Sequence, residues 1–403
     1  MAQLRKKRYY LFYLTISILI IGCNSQAGRN TGDQSEFYVI DFEQCFNTEQ
    51  QMFISEIADE VEYLELKTPD DIVITKIVTV IPFDDYLIVT SRSIAYLFHR
   101  NGQFIRKIGN IGQGPGEYAG VYDIVLDVKN KEILISDTYQ LLYYDLEGNY
   151  LRNKKMRVLS LGISDSILWS GGEIALANEP YKAIAVSLYG EGDTLASIPN
   201  TLYGTIKSDE VGTSSSSIFI TLFYHKNDSL YFKGDGSNDT IWRISGLTAT
   251  PHAFINMGKY KLPPEYERWA SPEKYEMNYD RYWCVPSVVE DDNYFYLFSY
   301  WRKFNFALRR YAEDKYIVYD KKAGKGFSTK DRNGIGLTDD ILGGPPFWPR
   351  WSSNEYFISA IEAYELLEKV EAGGYTPSET LKGLLSRIGE DTNQLLVLCR
   401  RKK

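Results

Sequence analysis

The chain has 403 residues, of which 44% are hydrophobic, 24% charged and 14% aromatic. This composition can fill a large buried core, so a disordered or a collagen-like protein is excluded. The formal net charge is −8, and removal of residues 1–22, which hold four basic and no acidic side chains, leaves −12. Such an acidic surface repels phosphate backbones, which argues against nucleic acid as a partner.

The chain begins with the pattern of a secretory signal peptide, predicted over residues 1–22. Residues 5–8 are all basic, and residues 10–21 form a mostly apolar stretch. A spanning helix needs about 20 apolar residues, and polar Asn24 follows the stretch closely; a stop-transfer anchor is the alternative. The run Ile20-Ile21-Gly22-Cys23 resembles the lipobox of bacterial lipoproteins, which implies cleavage before Cys23 and acylation of its sulfur.

Residues 23–55 are predicted to comprise the lipidated cysteine and a flexible tether. Residues 24–36 are rich in Gly, Ser, Asn and Gln, which is typical of a flexible linker. Two acyl chains hold a protein stably on a membrane where one does not. Because no acidic residue directly follows Cys23, the resemblance to lipoproteins favours the outer membrane, with its periplasmic and its external face both open.

Three further cysteines, Cys45, Cys284 and Cys399, remain in the chain. An exported protein can oxidise one pair of cysteines and leave one free thiol. Three separate buried thiols are the alternative, because free cysteine packs as a small hydrophobic residue.

The next part of the chain contains an internal repeat. Setting Gly102 over Gly148 superposes residues 87–89 on residues 133–135, an offset of 46 residues. This period is typical of one β-propeller blade, a four-stranded antiparallel sheet. In the first unit the turn before the last strand is an Asn-Gly pair, the strongest short hairpin signal.

Fainter copies place further turns near residues 192, 246 and 324, and strands at the two ends of the chain complete a sixth unit. We expect residues 61–66 to form the outermost strand of the blade that contains residues 395–398, since closure by both ends removes free sheet edges. The predicted fold is therefore all-β, a six-bladed β-propeller over residues 56–403. A linear solenoid of the same strands is the alternative.

Two regions depart from the repeat. Residues 258–283, with several prolines, are predicted to form an insertion between the fourth and fifth units. Residues 360–373 and 377–388 have helical spacing. We expect them to be small C-terminal helices that decorate the last blade.

A glycine-rich run carries a resemblance to a known family. Residues 108–118 read IGNIGQGPGEY and follow residues 101–105, which read NGQFI. Together with residues 61–66 they resemble the six-bladed β-propeller lipoproteins abundant in Bacteroidetes, in which G-x-G-P-G-E-[YF] recurs. The resemblance covers about residues 55–400 and implies a six-bladed propeller on a lipid anchor. The family has no settled biochemical activity, so the resemblance implies no functional residues.

The same glycine-rich run predicts part of a binding surface. It lacks the Gly-Lys-Ser/Thr of a phosphate-binding loop. We interpret it as the crossing from the outer strand of one blade to the inner strand of the next, where glycine permits a sharp path. In propellers such crossings lie on the face where ligands usually enter the central channel. Gln113, Glu117 and Tyr118 are therefore candidate residues of the channel rim.

Catalytic chemistry has little support in the sequence. Only three histidines are present, without metal-ligand spacing, and no Gly-x-Ser-x-Gly elbow occurs. No cofactor is predicted, although a calcium ion held by oxygen ligands is an open alternative. Asp123, Asp291 and Asp339 are its weak candidate ligands, and solvated loop acids explain them equally well.

Aromatic residues in the irregular parts of the chain support a binding role. Trp283, Trp301, Trp348 and Trp351 are candidates for a platform, because flat rings suit sugars and peptides. The alternative is that these rings fill gaps between blades.

The sequence therefore predicts a non-enzymatic binding module of the cell envelope. It is anchored in the membrane through its N-terminal lipid, and its partner is a glycan, a peptide or an envelope protein. A divalent-cation-dependent hydrolase or lyase with an acidic channel is the alternative. A structural component of an envelope complex is a third hypothesis, which predicts an exposed apolar patch.

Overall fold

The computed structural model describes residues 37–402, with gaps at 75, 92, 138, 157–158, 172–180, 189–192, 201–222, 235–238, 264–280, 303, 306–309, 312, 331–335 and 390. Six antiparallel sheets are arranged as a six-bladed propeller, which confirms the predicted fold. The first strands of neighbouring blades contact each other around the central channel.

The blades are numbered along the chain, and their strands are given from the channel outward. Blade 1 consists of Thr79–Phe83, Tyr86–Thr90, Ala95–His99 and Phe104–Ile108. Blade 2 consists of Asp123–Asp127, Glu132–Ser136, Gln140–Asp145 and Tyr150–Lys155. Blade 3 consists of Ser160–Ser164, Ile167–Gly171, Tyr181–Ser187 and Thr194–Pro199.

The other three blades follow the same order. Blade 4 consists of Phe223–Lys226, Ser229–Phe232, Thr240–Ser245 and Thr248–Asn256. Blade 5 consists of Trp283–Glu290, Tyr294–Trp301, Asp314–Asp320 and Lys325–Thr329, with a small hairpin of Phe304–Asn305 and Arg310–Tyr311. Blade 6 consists of Trp351–Ser352, Tyr356–Ile361, Leu395–Arg401 and Ala58–Glu65.

The core lies in the seams between adjacent blades. Middle strands such as Tyr86–Thr90 are buried along almost their whole length, because both of their faces pack on neighbouring blades. Outer strands are half-exposed, and Tyr150–Lys155 alternates between exposed and half-buried positions. The continuous apolar runs in the sequence are thus the middle strands of the blades.

Both ends of the described chain close the ring, as predicted. Ala58–Glu65 pairs antiparallel with Leu395–Arg401, with Val61 opposite Cys399 and Leu64 opposite Leu396. The outermost strand of blade 6 therefore comes from the N-terminal side of the chain, and its other three strands come from the C-terminal side. This pairing ties the first blade in sequence to the last.

The propeller begins before the predicted boundary at residue 56. Tyr38–Asp41 pairs parallel with the outer strand of blade 4, and Glu49–Gln50 with that of blade 5, so both sheets have five strands. Helix α1 (Phe42–Asn47) lies between these added strands, and a 3-10 turn, Ile54–Glu56, leads into blade 6. Ile40, Phe42 and Cys45 are completely buried in the seam between blades 4 and 5. A four-residue strand is too short to show a periodic pattern in the sequence. It is held in place here by the burial of these side chains between the two blades.

Two small helices lie within blade 6, as predicted. Helix α2 (Ala363–Glu371) and helix α3 (Glu379–Leu385) connect its second and third strands. The Ser378 hydroxyl accepts a hydrogen bond from the Leu381 amide and caps α3. Leu366, Leu381 and Leu384 bury these helices against the core between blades 5 and 6.

The two ends of the channel carry different connections. The described residues within 66–78, 109–122 and 330–350 cross between blades at one end, together with the described parts of the connections between second and third strands; we call this end the loop face. The opposite end, the hairpin face, carries short turns between first and second and between third and fourth strands. Its turns at Asp165-Ser166 and Asn227-Asp228 have positive φ at both residues, as tight hairpins require.

One general prediction can be compared with this fold, whereas the predicted signal peptide, Cys23 and most of the predicted insertion at 258–283 lie outside the described residues. Cys45, Cys284 and Cys399 are separate buried thiols, the second of the two alternatives. Burial raises the pKa of the Cys45 thiol to about 12, so it is protonated at neutral pH. Among the described residues, no helix combines the length and the apolar character that crossing a membrane requires.

Candidate functional site

The glycine-rich crossing from blade 1 to blade 2 lies on the loop face and is closed by its own hydrogen bonds. Asn110–Ile111 pairs parallel with Glu117–Tyr118. The Glu117 carboxylate accepts a hydrogen bond from the Gly114 amide at 2.7 Å. A Cβ atom on Gly112 would lie 2.0 Å from the same carboxylate, so any side chain there would displace the Glu117 carboxylate. Glu117 therefore shapes the loop, and one of its oxygens is occupied.

Tyr118 lies inside the core and not at the channel rim. Its side chain is completely buried in the seam between blades 1 and 2. The hydroxyl donates to the Ile108 carbonyl at 2.7 Å and accepts from the Ala95 amide at 3.2 Å. Burial raises the pKa of Tyr118 to about 12. The predicted position of Tyr118 at the rim is therefore corrected. Its ring packs in the seam under the crossing and is not available to a ligand in the channel.

Gln113 is the predicted rim residue that is exposed, and it has exposed neighbours. Ile111 is 54% exposed on the same crossing, and Pro115 is also exposed. Tyr139, in the adjacent blade 2 connection, is 78% exposed. The Gln140 amide lies 3.5 Å from the Glu117 carbonyl, which joins the two loops. We call Ile111, Gln113, Pro115 and Tyr139 the crossing patch.

The four candidate tryptophans do not form one platform. Trp283 is buried between blades 4 and 5, and Trp348 between blades 5 and 6, where it stacks on Tyr316 at 4.7 Å. Trp301 is half-buried on the core between blades 4 and 5. Trp351 is half-buried, and its ring nitrogen donates to the Val78 carbonyl at 3.1 Å. The predicted platform is corrected accordingly: these rings fill seams between blades, where large apolar surfaces are removed from water.

The three candidate metal ligands lie at different places, and both oxygens of each already accept hydrogen bonds. Asp291 accepts from the amides of Asn293 and Tyr294 at 2.7 and 2.6 Å and from the Tyr296 hydroxyl at 3.0 Å. Asp339 accepts from the backbone amides that follow it, including Leu342 at 2.8 Å. These two aspartates thus hold turns. Within the described part of the chain, no three His, Cys, Asp or Glu side chains are grouped to hold a metal ion.

Asp123, the third candidate, joins two blades beside the channel. One carboxylate oxygen accepts from the Leu161 amide at 2.8 Å and the Ser160 hydroxyl at 3.1 Å, and the other accepts from the Ile124 amide. Ser160 and Leu161 begin the inner strand of blade 3. Burial raises the pKa of Asp123 to about 6, although these hydrogen bonds oppose the change.

This carboxyl group predicts a pH dependence of stability. Because the pKa of Asp123 is higher in the native than in the unfolded state, its contribution is fully present below about pH 4 and is lost as the pH rises through 6. We expect the free energy of unfolding of Asp123→Asn, relative to the native protein, to rise by about 2 kcal/mol between pH 4 and pH 7. Urea unfolding at both pH values measures this. A relative stability that does not change with pH would contradict it.

A buried ionic cluster between blades 4 and 5 was not predicted. Glu290 is completely buried at the end of an inner strand. One of its oxygens lies 2.9 Å from His252 Nε2, 2.5 Å from Lys321 Nζ and 3.3 Å from Lys226 Nζ. The other accepts from the Tyr224 hydroxyl at 2.7 Å. Every partner is more than 30 residues away from Glu290 in sequence, so no spacing of nearby residues could have predicted the cluster.

The charge state of this cluster follows from its contacts. Burial is the strongest influence on the pKa of Glu290 and would raise it. The hydrogen bond with His252 and the positive charges of Lys321 and Lys226 together outweigh burial, so the pKa falls to about 2. Both oxygens of Glu290 accept hydrogen bonds, and the cluster links two blades. We call Glu290, His252, Lys226, Lys321 and Tyr224 the ionic staple.

The fold agrees with the comparisons with known proteins. Residues 37–400 match a family model described as "Domain of unknown function (DUF4934)". The chain belongs to the DUF4934 family. None of the curated proteins compared with this chain matches it.

Two solved structures share the architecture of this DUF4934 protein. One, named an exported protein, comes from Bacteroides fragilis: the TM-score is 0.67 at 17% identity, over 91% of this chain and 99% of that one. The other, a DUF4221 family member from Bacteroides vulgatus, has a TM-score of 0.50 at 14% identity, over 85% and 97%. At these identities the likeness shows the fold alone.

In this DUF4934 chain, the crossing patch combines a rigid base with exposed apolar and amide groups. Its loop is held by the hydrogen bond from the Gly114 amide to the Glu117 carboxylate and by the hydrogen bond from the buried Tyr118 hydroxyl to the Ile108 carbonyl. Rigid loops lose little entropy when they bind. The patch is thus the candidate binding surface.

Proposed function

We propose that this protein is a lipid-anchored, non-enzymatic binding module of the cell envelope, and that the crossing patch holds its partner. The observation that carries the proposal is the exposure of Ile111 and Tyr139 on loops whose bases are fixed. Exposed apolar and aromatic side chains beside an amide suit a glycan, a peptide or a protein surface, because they can bury apolar area in the complex and also form hydrogen bonds with the partner.

The envelope location is supported by the N-terminal sequence and by a structural relative. The signal-peptide pattern and the Gly22-Cys23 pair support export and lipidation of Cys23. The absence of an acidic residue directly after Cys23 supports the outer membrane. The structural relative from Bacteroides fragilis is itself named an exported protein. A binding function is also supported by the three candidate acids, whose oxygens already serve turns and a blade contact.

A binding screen with paired variants tests the function. Arrays of glycans and peptides and a panel of purified envelope proteins are probed with the native protein and with Ile111→Asp/Tyr139→Ala. We expect the double variant to bind at least tenfold more weakly, because it loses apolar contact and adds a charge. Val128→Asp is the matched control, since Val128 is equally exposed apolar surface in a hairpin-face turn of blade 2. Equal loss in both variants, or no loss in the double variant, would contradict the proposal.

A further inference from the structure

The outer strands of the six blades differ sharply in charge. Those of blades 1 and 2 carry basic residues, and Lys325–Thr329 of blade 5 begins with a lysine. Ala58–Glu65 of blade 6 carries four acidic residues. Thr194–Pro199 of blade 3 and Thr248–Asn256 of blade 4 contain no Asp, Glu, Lys or Arg. The edge strand of blade 4, Tyr38–Asp41, adds one charged side chain, that of Asp41, so this sector of the perimeter carries fewer charges than the outer strand of blade 6.

The sector formed by blades 3 and 4 exposes large apolar side chains. Phe37 and Val39 are 53% and 52% exposed at the start of the domain. Val39 lies directly opposite Phe254 in the parallel pairing, and Phe254 is also exposed. Leu195 and Leu247 are exposed on blade 3 and on the last turn of blade 4. We call Phe37, Val39, Leu195, Leu247 and Phe254 the apolar rim. Exposed apolar side chains that lie side by side, as those of Val39 and Phe254 do, mark an interaction site.

The apolar rim is also where the chain joins the propeller. Tyr38–Asp41 is the first strand of the domain and lies along the outer edge of blade 4. Thirteen residues separate Phe37 from Cys23. A flexible chain of that length has a root-mean-square span of about 20 Å and a maximum reach of about 45 Å. An acyl anchor on Cys23 would therefore keep this edge of the propeller close to the bilayer.

Charge selects the same sector. Without its signal peptide the chain carries −12, and bacterial membranes contain anionic lipids that repel acidic surfaces within about 10 Å. Blade 6, the most acidic part of the perimeter, lies on the far side of the ring from blade 3. Contact through the apolar rim keeps those carboxylates away from the lipid headgroups.

We propose that the apolar rim of blades 3 and 4 rests on the lipid bilayer; this inference depends on the proposed acylation of Cys23. In this orientation the channel axis is parallel to the membrane plane, and the loop face and the hairpin face are both perpendicular to that plane. The crossing patch on blade 2 stays open to a partner in the surrounding space.

Site-specific fluorescence tests the contact. The full chain is produced with its lipid, reconstituted in vesicles of phosphatidylethanolamine and phosphatidylglycerol, and labelled with an environment-sensitive dye at Val39→Cys or Phe254→Cys. The native Cys45, Cys284 and Cys399 are buried, so the introduced thiol takes the label. Leu151→Cys, on the exposed outer strand of blade 2, is the matched control. We expect a lipid-borne quencher to reduce the signal at residues 39 and 254 at least threefold more than at residue 151.

The outcomes separate the rim from the anchor. Flotation of the chain with the vesicles and the intact mass of acylated Cys23 report the anchor, and loss of both would overturn the anchor together with the rim contact. Flotation with equal quenching at the three positions would overturn the rim contact alone. Concentration-dependent protection of residue 39 in the unacylated Cys23→Ser protein, without vesicles, would assign the rim to a second copy of the chain and also overturn the proposal.

Discussion

Replacement of Glu290 by glutamine is expected to lower the free energy of unfolding by about 3–5 kcal/mol, the cost of breaking a buried ion pair from one side. The variant leaves Lys321, Lys226 and His252 around a neutral amide in the seam between blades 4 and 5. Lys321 is almost completely buried, so its charge has no access to water that could replace the carboxylate. Urea unfolding at pH 7 measures the loss.

The matched control is Asp292→Asn. Asp292 lies 3.4 Å from Lys226, but its side chain is 66% exposed, and exposed ion pairs contribute about 0–1 kcal/mol. If Glu290→Gln were no more destabilising than Asp292→Asn, the ionic staple would not hold the two blades together.

The Glu290 variant should also change the response to acid. The native pKa of Glu290, about 2, lies below its usual 4.5. Its contribution to stability is therefore fully present above about pH 4.5 and is lost as the pH falls toward 2. The difference in stability between the native protein and Glu290→Gln should shrink over that interval.

Replacement of Gly102 by alanine is expected to cost about 3 kcal/mol in unfolding free energy, which is at the upper end for single substitutions. Gly102 has a φ of +82°, and a Cβ atom there would lie 2.1 Å from the Glu65 carbonyl oxygen. Its own carbonyl accepts from the Lys67 amide at 2.9 Å, where the chain passes from blade 6 to blade 1. The added methyl group must therefore push apart the junction that closes the ring.

Gly324→Ala is the control that lacks the steric clash, so the difference between the two variants measures the steric part of the effect. Gly324 occupies the equivalent turn of blade 5 with a φ of +64°, and nothing lies within 4 Å of its Cβ position. We expect only the conformational cost of about 1 kcal/mol. Thermal or urea unfolding of both variants provides the comparison, and similar losses would refute the steric explanation.

Much of the propeller could be predicted because its signals are local. Gly102 and Gly148 mark turns with positive φ, and the apolar runs between them are middle strands. The closing strand was recognised because residues 61–66 and the end of the chain were the segments left without partners. The glycine-rich run was correctly interpreted as a crossing between blades, because it lies between the outer strand of blade 1 and the inner strand of blade 2.

The candidate site could be predicted only in part. Gln113 is exposed as expected, whereas Tyr118 on the same loop is buried. A tyrosine ring with one hydroxyl can lie at a wet rim or in a buried seam, and only the direction of its side chain in the folded protein decides between them. The tryptophans at 283 and 348 were misjudged for the same reason, because irregular sequence around a ring does not reveal whether that ring faces water or a neighbouring blade.

The sequence by itself determined the blade period, the turns and the net charge, because each depends on residues that are neighbours in the chain or on composition. The tertiary structure decided that Tyr38–Asp41 joins blade 4, that Glu290 meets two lysines and His252, and that Val39 lies beside Phe254. These features depend on contacts between residues far apart in the chain. Their stability comes from burial in seams that exist only after the blades have packed.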